Sequence, residues 1–230
     1  MRLHDWSGFA ALAALPLALV ALASGHVVSS AAWLGGAIAL GAVTRYWSLT
    51  RPSPMPHLLR WTLAVPRGNL SPSHLARILE PRPGERILEI GPGTGIYSLP
   101  VATALAPGGT LDVLDVQPAM LAEVTSRARA AGVTNVAPTH GDARALPYPD
   151  STFDAAYLVG VLGEIPDEAE ALRELRRVLR PGGRLVVGEV AFDPDFVRFG
   201  VLERRADAAA FTFDRKLGGA LSYLARFRPT

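Results

Sequence analysis

Three carboxylates stand at the ends of three successive apolar runs: Glu89 near the end of residues 86–90, Asp115 near the end of 110–116, and Asp142 just after 135–139. Between the first run and the next helix lies Glu89-Ile90-Gly91-Pro92-Gly93-Thr94-Gly95. Glycines in such a turn let the backbone approach a ligand with no Cβ in the way. Their spacing is Gly-x-Gly-x-Gly. A dinucleotide fingerprint would need glycine at position 96, where this chain has Ile96. An acid just ahead of the loop also repels phosphate. The loop therefore suits a cationic ligand without phosphate, and the spacing argues against a nicotinamide-dependent dehydrogenase.

Each acid has a chemistry it can perform. Asp115 can accept from both hydroxyls of a ribose, and Asp142, in His140-Gly141-Asp142-Ala143, can accept from an adenine amino group. S-adenosylmethionine combines those two groups with an ammonium, a sulfonium and no phosphate. Transfer of its methyl group is an in-line displacement, in which a protein mainly positions donor and acceptor and excludes water.

The elements that must position these residues can be read from periodicity and punctuation. Strands are expected at 86–90, 110–116, 135–139, 153–159 and 184–190. A helix is expected from Pro72 until Pro81 to Gly84 end it, with others at 96–105, 118–131, 167–180 and 201–210. Ser71 and Pro72 suit the cap and first turn of the first helix. Asp167 caps the clearest helix, which has acids in its first turn, arginines in its last, and Pro181-Gly182-Gly183 as its stop. Residues 211–216 and 220–228 read as a hairpin turning at Leu217-Gly218-Gly219. Alternating strands and helices predict a Rossmann-like, doubly wound α/β sheet, mostly parallel, with a C-terminal hairpin that adds one antiparallel strand at an edge. In such sheets ligands bind beyond the strand C-termini where strand order reverses, which is where the three acids would converge.

The ordered set Glu89 to Gly95, Asp115-Val116-Gln117-Pro118-Ala119-Met120-Leu121, Gly141-Asp142-Ala143 and Leu179-Arg180-Pro181-Gly182-Gly183 resembles the successive motifs of class I S-adenosylmethionine-dependent methyltransferases. The group it resembles includes quinone-biosynthesis and small-molecule C- and N-methyltransferases, and the likeness covers about residues 72–228. The resemblance implies S-adenosyl-L-methionine as cofactor. It implies that Gly91, Gly93 and Gly95 line the methionine part, that Asp115 binds ribose, that Asp142 with Ala143 flanks adenine, and that Met120 packs near it. With Glu89, Val116 and Val159, these residues form the expected cofactor-contacting set.

The acceptor is expected near the end of the fourth strand, beside Val159-Gly160-Val161-Leu162-Gly163-Glu164-Ile165-Pro166. Glu164 could bind a cationic amine or act as a base, or it could be a solvated loop acid. Tyr97 could place its ring or hydroxyl at the sulfonium or the acceptor, or pack on the sheet. Asp193 and Asp195 flank Pro194 and read as a turn. A non-catalytic cofactor-binding protein is the alternative of another class.

Composition bounds the rest. The chain has 230 residues, no cysteine and a formal charge of +2. These exclude a disulfide framework, a zinc-thiolate site and a cysteine nucleophile, and give no argument for a nucleic-acid partner. From Trp6 to Thr44 there is no Asp, Glu, Lys or Arg. Two apolar segments, 8–24 and 27–43, approach the roughly 20 residues a membrane-spanning helix needs, with Ser24-Gly25-His26 as the turn between them. Arg2 before them, and Arg45, Arg51 and Arg60 after them, put positive charge at both ends, as expected for the cytoplasmic side. A cleaved signal peptide, or a hairpin packed on protein, are the other readings of this stretch.

Three regions are therefore expected: a transmembrane helical hairpin at 1–49, a proline-rich linker and interfacial segment at 50–70, and the methyltransferase domain at 71–230. Residues 57–65 read either as a short helix at the membrane surface or as one packed on the domain. A tether gains nothing for a water-soluble substrate, so the expected partners are the bilayer and a lipophilic acceptor. The acceptors weighed are a phospholipid amine such as phosphatidylethanolamine, preferred on the strength of Glu164 and Tyr97, and a prenylated quinone. Oligomeric state is left open by the sequence.

Overall fold

A computed structural model describes residues 70–230 continuously, together with 35, 36, 38, 39, 41–43, 45, 46, 50, 52, 54 and 55. The chain divides into two compact units, Met1–Ser53 and Pro54–Thr230. The cut falls within the proline-rich run. In the first unit, the described positions from 35 to 46, and position 50, are helical. Among the described residues no helix is long and apolar enough to cross a membrane. The segment at 8–24, most of 27–43 and the interfacial candidate at 57–65 lie outside the described residues.

The second unit opens with α1 (Pro72–Leu79), whose N-cap Ser71 accepts from the His74 N–H. Then follow β1 (Arg86–Ile90), α2 (Ser98–Leu105), β2 (Thr110–Asp115), α3 (Pro118–Ala130), β3 (Val136–His140) and β4 (Phe153–Val159). A single 3-10 turn, Leu162–Glu164, precedes α4 (Glu168–Val178). The chain closes with β5 (Leu179–Val190), α5 (Phe199–Ala208), β6 (Phe211–Gly218) and β7 (Ser222–Pro229). Asp167 caps α4 by accepting from the Glu170 N–H at 3.0 Å, which satisfies one of the free donors of its first turn.

The sheet has seven strands in the order β3-β2-β1-β4-β5-β7-β6. β1 to β5 are parallel, and β7 pairs antiparallel with both β5 and β6. The antiparallel strand is thus internal, which corrects the expectation that it would form the edge. The reason is burial. Tyr223 to Phe227 in β7 are buried on both faces, whereas most of β6 is exposed. The apolar partner therefore takes the inside position, and the charged strand takes the edge, where it discourages further pairing.

Helices cover both faces. Leu75, Ile78 and Leu79 of α1, Val101 and Leu105 of α2, and Val124 of α3 pack on Ile87, Val113, Tyr157 and Leu224. Leu172, Leu175 and Val178 of α4, and Leu202 and Ala206 of α5, pack on Leu88, Leu158, Val187 and Ala225. β5 begins earlier than expected. The backbone runs straight from α4 into extended structure at Leu179, which pairs with Phe153 ahead of a register shift to Ala155.

Candidate active site

Strand order reverses at β1, which has β2 on one side and β4 on the other. The turns that follow β1 and β4 therefore diverge to opposite faces and leave a crevice between them. Gly91, Gly93 and Gly95 of the first turn have φ of +65°, +53° and +80°, a region that L side chains rarely enter. Gly91 is doubly constrained, because a Cβ there would lie 2.6 Å from Val161 Cγ2 in the turn after β4. The two turns thus touch across the crevice.

Glu89 pairs in register with Tyr157 of β4 and is only 2 % exposed. Its side chain lies on the α2 face beside the hydroxyls of Ser98 and Tyr157. Its Oε2 has no hydrogen-bond partner. Burial pushes its carboxyl up to about 7, against the pull of the two hydroxyls, and the nearby Asp115 adds to the rise. An incoming cation would reverse that shift by supplying the missing partner.

Asp115 ends β2 on the same face, is nearly buried, and accepts from the Gln117 N–H at 2.8 Å. Burial raises its pKa. Beyond it Val116 is exposed while Met120 is buried. The turn after β3 is tied to β2, because the Gly141 N–H donates to the Asp115 carbonyl at 3.1 Å. Asp142 is held differently. Arg144 donates to both of its oxygens from Nε at 3.1 Å and from a terminal nitrogen at 2.7 Å, and its own N–H donates at 2.9 Å. Those bonds hold the Asp142 carboxyl below its usual range. Ala143 is buried beside it, and Val159 closes β4 nearly buried.

At the acceptor end, Glu164 is half-buried in the turn after β4. Burial drives its pKa well above the ordinary carboxylate range, and Asp193, Asp195 and Asp115 face it and add to the rise. Its Oε2 accepts from the Met55 N–H at 3.1 Å, so its carboxylate is partly withdrawn from solvent. Its turn sits hard against the 193–195 turn, where a Cβ on Gly163 would fall 1.9 Å from the Asp195 carbonyl oxygen. Tyr97 precedes α2, packs at the core margin, and donates from its hydroxyl to the Leu70 carbonyl.

Several residues of the site were not anticipated. Ser98 and Tyr157 surround Glu89. Glu189 is 2 % exposed in β5, with Oε2 accepting from the Val197 N–H at 3.1 Å and Oε1 without a partner. A lone acid inside the apolar run 185–190 was the signal that could have found it. The Met55 backbone also enters the site. Its N–H donates to Glu164 Oε2 at 3.1 Å, and its carbonyl accepts from Gln117 Nε2 at 2.8 Å. Nothing in the local sequence points to that contact.

Comparison with known proteins agrees with this geometry. Residues 87–183 match the family model of a methyltransferase domain. The chain is 33% identical over 123 residues to a demethylmenaquinone methyltransferase of Bacillus cytotoxicus, covering 54% of this chain and 52% of that protein. It is 34% identical over 132 residues to the ubiquinone/menaquinone biosynthesis C-methyltransferase UbiE of Pasteurella multocida, covering 54% and 49%. The match thus spans about half the length of these curated relatives. In fold, it is similar to a SAM dependent methyltransferase from Aquifex aeolicus, with a TM-score of 0.70, 17% identity, and coverage of 77% of this chain and 100% of that one.

Residues 87–183 are thus similar to a methyltransferase domain, and the sheet has the fold of a solved SAM dependent methyltransferase. S-adenosylmethionine is the cofactor that this likeness implies. The residues present fit that group, because a buried carboxylate with one unpartnered oxygen stands at the lip of a glycine cradle, where a cationic methionine end is favoured and a phosphate is not.

Proposed function

We propose that the chain transfers the methyl group of S-adenosylmethionine to a ring carbon of a prenylated quinol at a membrane. The observation that carries methyl transfer is Glu89, buried at the tip of β1 with an unpartnered oxygen beside the glycine turn. Support for the quinone over the phospholipid amine preferred from the sequence comes from the relatives, which are named as demethylmenaquinone and ubiquinone/menaquinone methyltransferases. The change of preference also fits the site. The Tyr97 hydroxyl, one of the two features favouring an amine, is engaged by Leu70.

When bound, S-adenosylmethionine supplies an electrophilic methyl group whose C–S bonding electrons leave with sulfur. Glu164 takes the proton of the acceptor's ring hydroxyl, which makes the neighbouring ring carbon nucleophilic. A new C–C bond forms there, that carbon's proton then passes to solvent to restore the aromatic ring, and Glu164 returns its proton to the ring oxygen. Burial raises the pKa of Glu164, which makes it a stronger base than an ordinary carboxylate. Glu89 and Asp115 hold the donor in line, and the contact between the two turns keeps water out.

A lipophilic acceptor accords with the surface. Phe192 and Leu221, 64% and 74% exposed, stand next to each other at the same end of the sheet as the glycine turn, where the Ala191 N–H donates to the Leu221 carbonyl at 2.8 Å. In the first unit Ile38 and Val43 are also exposed on helical positions. We read residues 1–49 as a membrane hairpin and place the catalytic domain on the cytoplasmic side, where its cofactor is made.

The test uses the full chain, methyl-labelled cofactor, and phosphatidylethanolamine vesicles carrying a prenylated hydroquinone with a vacant ring position. Label is expected in the quinone fraction. Label in phosphatidylethanolamine would restore the amine reading, and label in neither lipid would overturn a lipophilic acceptor.

A further inference from the structure

Gln117 does two separable things. Its backbone N–H holds Asp115 Oδ1 at 2.8 Å, on the donor side of the crevice. Its side chain reaches the Met55 carbonyl at 2.8 Å, 62 residues away in sequence. Met55 in turn gives its N–H to Glu164 at 3.1 Å, across 109 residues. A single backbone unit from the segment ahead of the domain therefore links the β2–α3 turn to the turn after β4.

The local sequence suits that task. Met55 lies in Pro54-Met55-Pro56, so it is the one residue of the three that has an N–H to donate. Proline on either side restricts the backbone, and a residue ahead of proline is biased to extended structure. The unit is thus presented at little cost in chain entropy. The environment of Glu164 gives the bond its value. Asp115, Asp193 and Asp195 face it from the turns after β2 and β5, all with charge of its own sign. The Met55 N–H opposes that repulsion, and a hydrogen bond to a charged group is worth more than a neutral one.

We propose that Gln117 is a positioning residue that, through the Met55 backbone, holds the Glu164 carboxylate at the acceptor end of the crevice. The proline-rich segment is then a working part of the active site as well as a linker. This inference rests on the methyl-transfer reading for its kinetic consequence. Its structural half can be judged without that reading.

The experiment compares the full-length protein with Gln117→Leu and Met55→Pro. The chain has only three methionines, so methionine-selective 15N labelling isolates the Met55 and Met120 amides. Gln117→Leu leaves the backbone hold on Asp115 intact. It should therefore change S-adenosylhomocysteine affinity by less than about twofold, while Met55 amide exchange and kcat on the prenylated hydroquinone change about tenfold, as for one lost hydrogen bond to a charged group. The acidic limb of the pH–kcat profile should move to higher pH, because Glu164 loses a donor that favours its ionised form. Met55→Pro removes the donor to Glu164, together with the methionine side chain, and should reproduce the kcat loss and the pH shift. Parent-like kcat and pH profile in both variants, or unchanged Met55 exchange in Gln117→Leu, would overturn the proposal. A parent that neither binds S-adenosylhomocysteine nor transfers label would sink the methyl-transfer reading instead. The exchange comparison would then still decide the contact.

Discussion

Carboxylates gather at both ends of the crevice, but the two ends are built differently. On the donor side Glu89, Asp115 and Asp142 stand at or just past the ends of three adjacent strands, and Asp115 and Asp142 are each held by the turn that follows. On the acceptor side Glu164, Asp193 and Asp195 are brought together by turns that meet over long sequence separations. The donor side uses geometry that short-range sequence dictates. The acceptor side depends on packing, and this is where substitutions should separate binding from turnover.

The largest effect should come from Gly163→Ala. Its Cβ would meet the Asp195 carbonyl oxygen at 1.9 Å, and backbone cannot step aside as a flexible side chain can. Overpacking of this kind costs about 3 kcal/mol, which lowers the melting temperature by about 10 °C in a chain of this size. Turnover should fall by about a hundredfold, as misplacing a reacting group by an ångström can do. Affinity for S-adenosylhomocysteine should change far less. Gly91→Ala should do the converse, losing cofactor affinity first, because its Cβ strikes Val161 from a backbone at φ +65°. Equal loss of binding in both variants, read by calorimetry, would erase the distinction between the two ends.

Next in size is Glu89→Gln, where stability and affinity should move in opposite directions. The folded carboxyl titrates at about 7, raised from an ordinary 4.5. Between those pH values the folded protein holds a proton that the unfolded chain has lost. Stability of the cofactor-free protein therefore falls as pH rises through that window and levels off above it. Glutamine removes the slope and should leave the variant more stable at pH 8 by up to about 3 kcal/mol. Cofactor affinity should drop, because the cationic methionine end loses its counter-charge. In the parent, affinity should climb with pH up to about 7 and then flatten. A denaturation series from pH 4 to 8 that shows no difference in slope would remove Glu89 from this role.

What the sequence disclosed follows the same division. The glycine turn, the strand-end positions of Glu89, Asp115 and Asp142, and the Asp167 cap were legible, because each is set by a few consecutive residues. Element boundaries moved by a residue or two at most strands, as frayed ends do. The internal position of β7 was not legible, since strand order depends on which of two hairpin strands is more apolar on both faces. The partial burial of Glu164 was also hidden. Its own sequence reads as an ordinary turn, and its burial comes from the 193–195 turn and Met55.

A smaller effect should follow from Phe192→Ser with Leu221→Ser. Both side chains are exposed, so stability should hold within about 0.5 kcal/mol. The proposed membrane-facing rim would lose apolar area, and turnover of a vesicle-borne acceptor should fall about threefold, while the same acceptor in detergent reacts as before. Equal loss in both media would place these residues in the reaction rather than at the bilayer.

Tyr97→Phe should give the smallest effect, and it bears on both ends at once. Tyr97 follows the donor turn, yet its hydroxyl donates to the Leu70 carbonyl ahead of α1. Removing it should cost about 1 kcal/mol, the net value of one neutral hydrogen bond. If that bond is the hydroxyl's whole task, kcat on the quinol stays within about twofold and only the melting temperature shifts. A kcat loss of tenfold or more with unchanged stability would return the hydroxyl to the sulfonium or the acceptor, and would mean that the Leu70 contact opens during turnover. The ring remains in the phenylalanine variant, so the comparison isolates the hydroxyl from the packing that Tyr97 provides between α2 and the sheet.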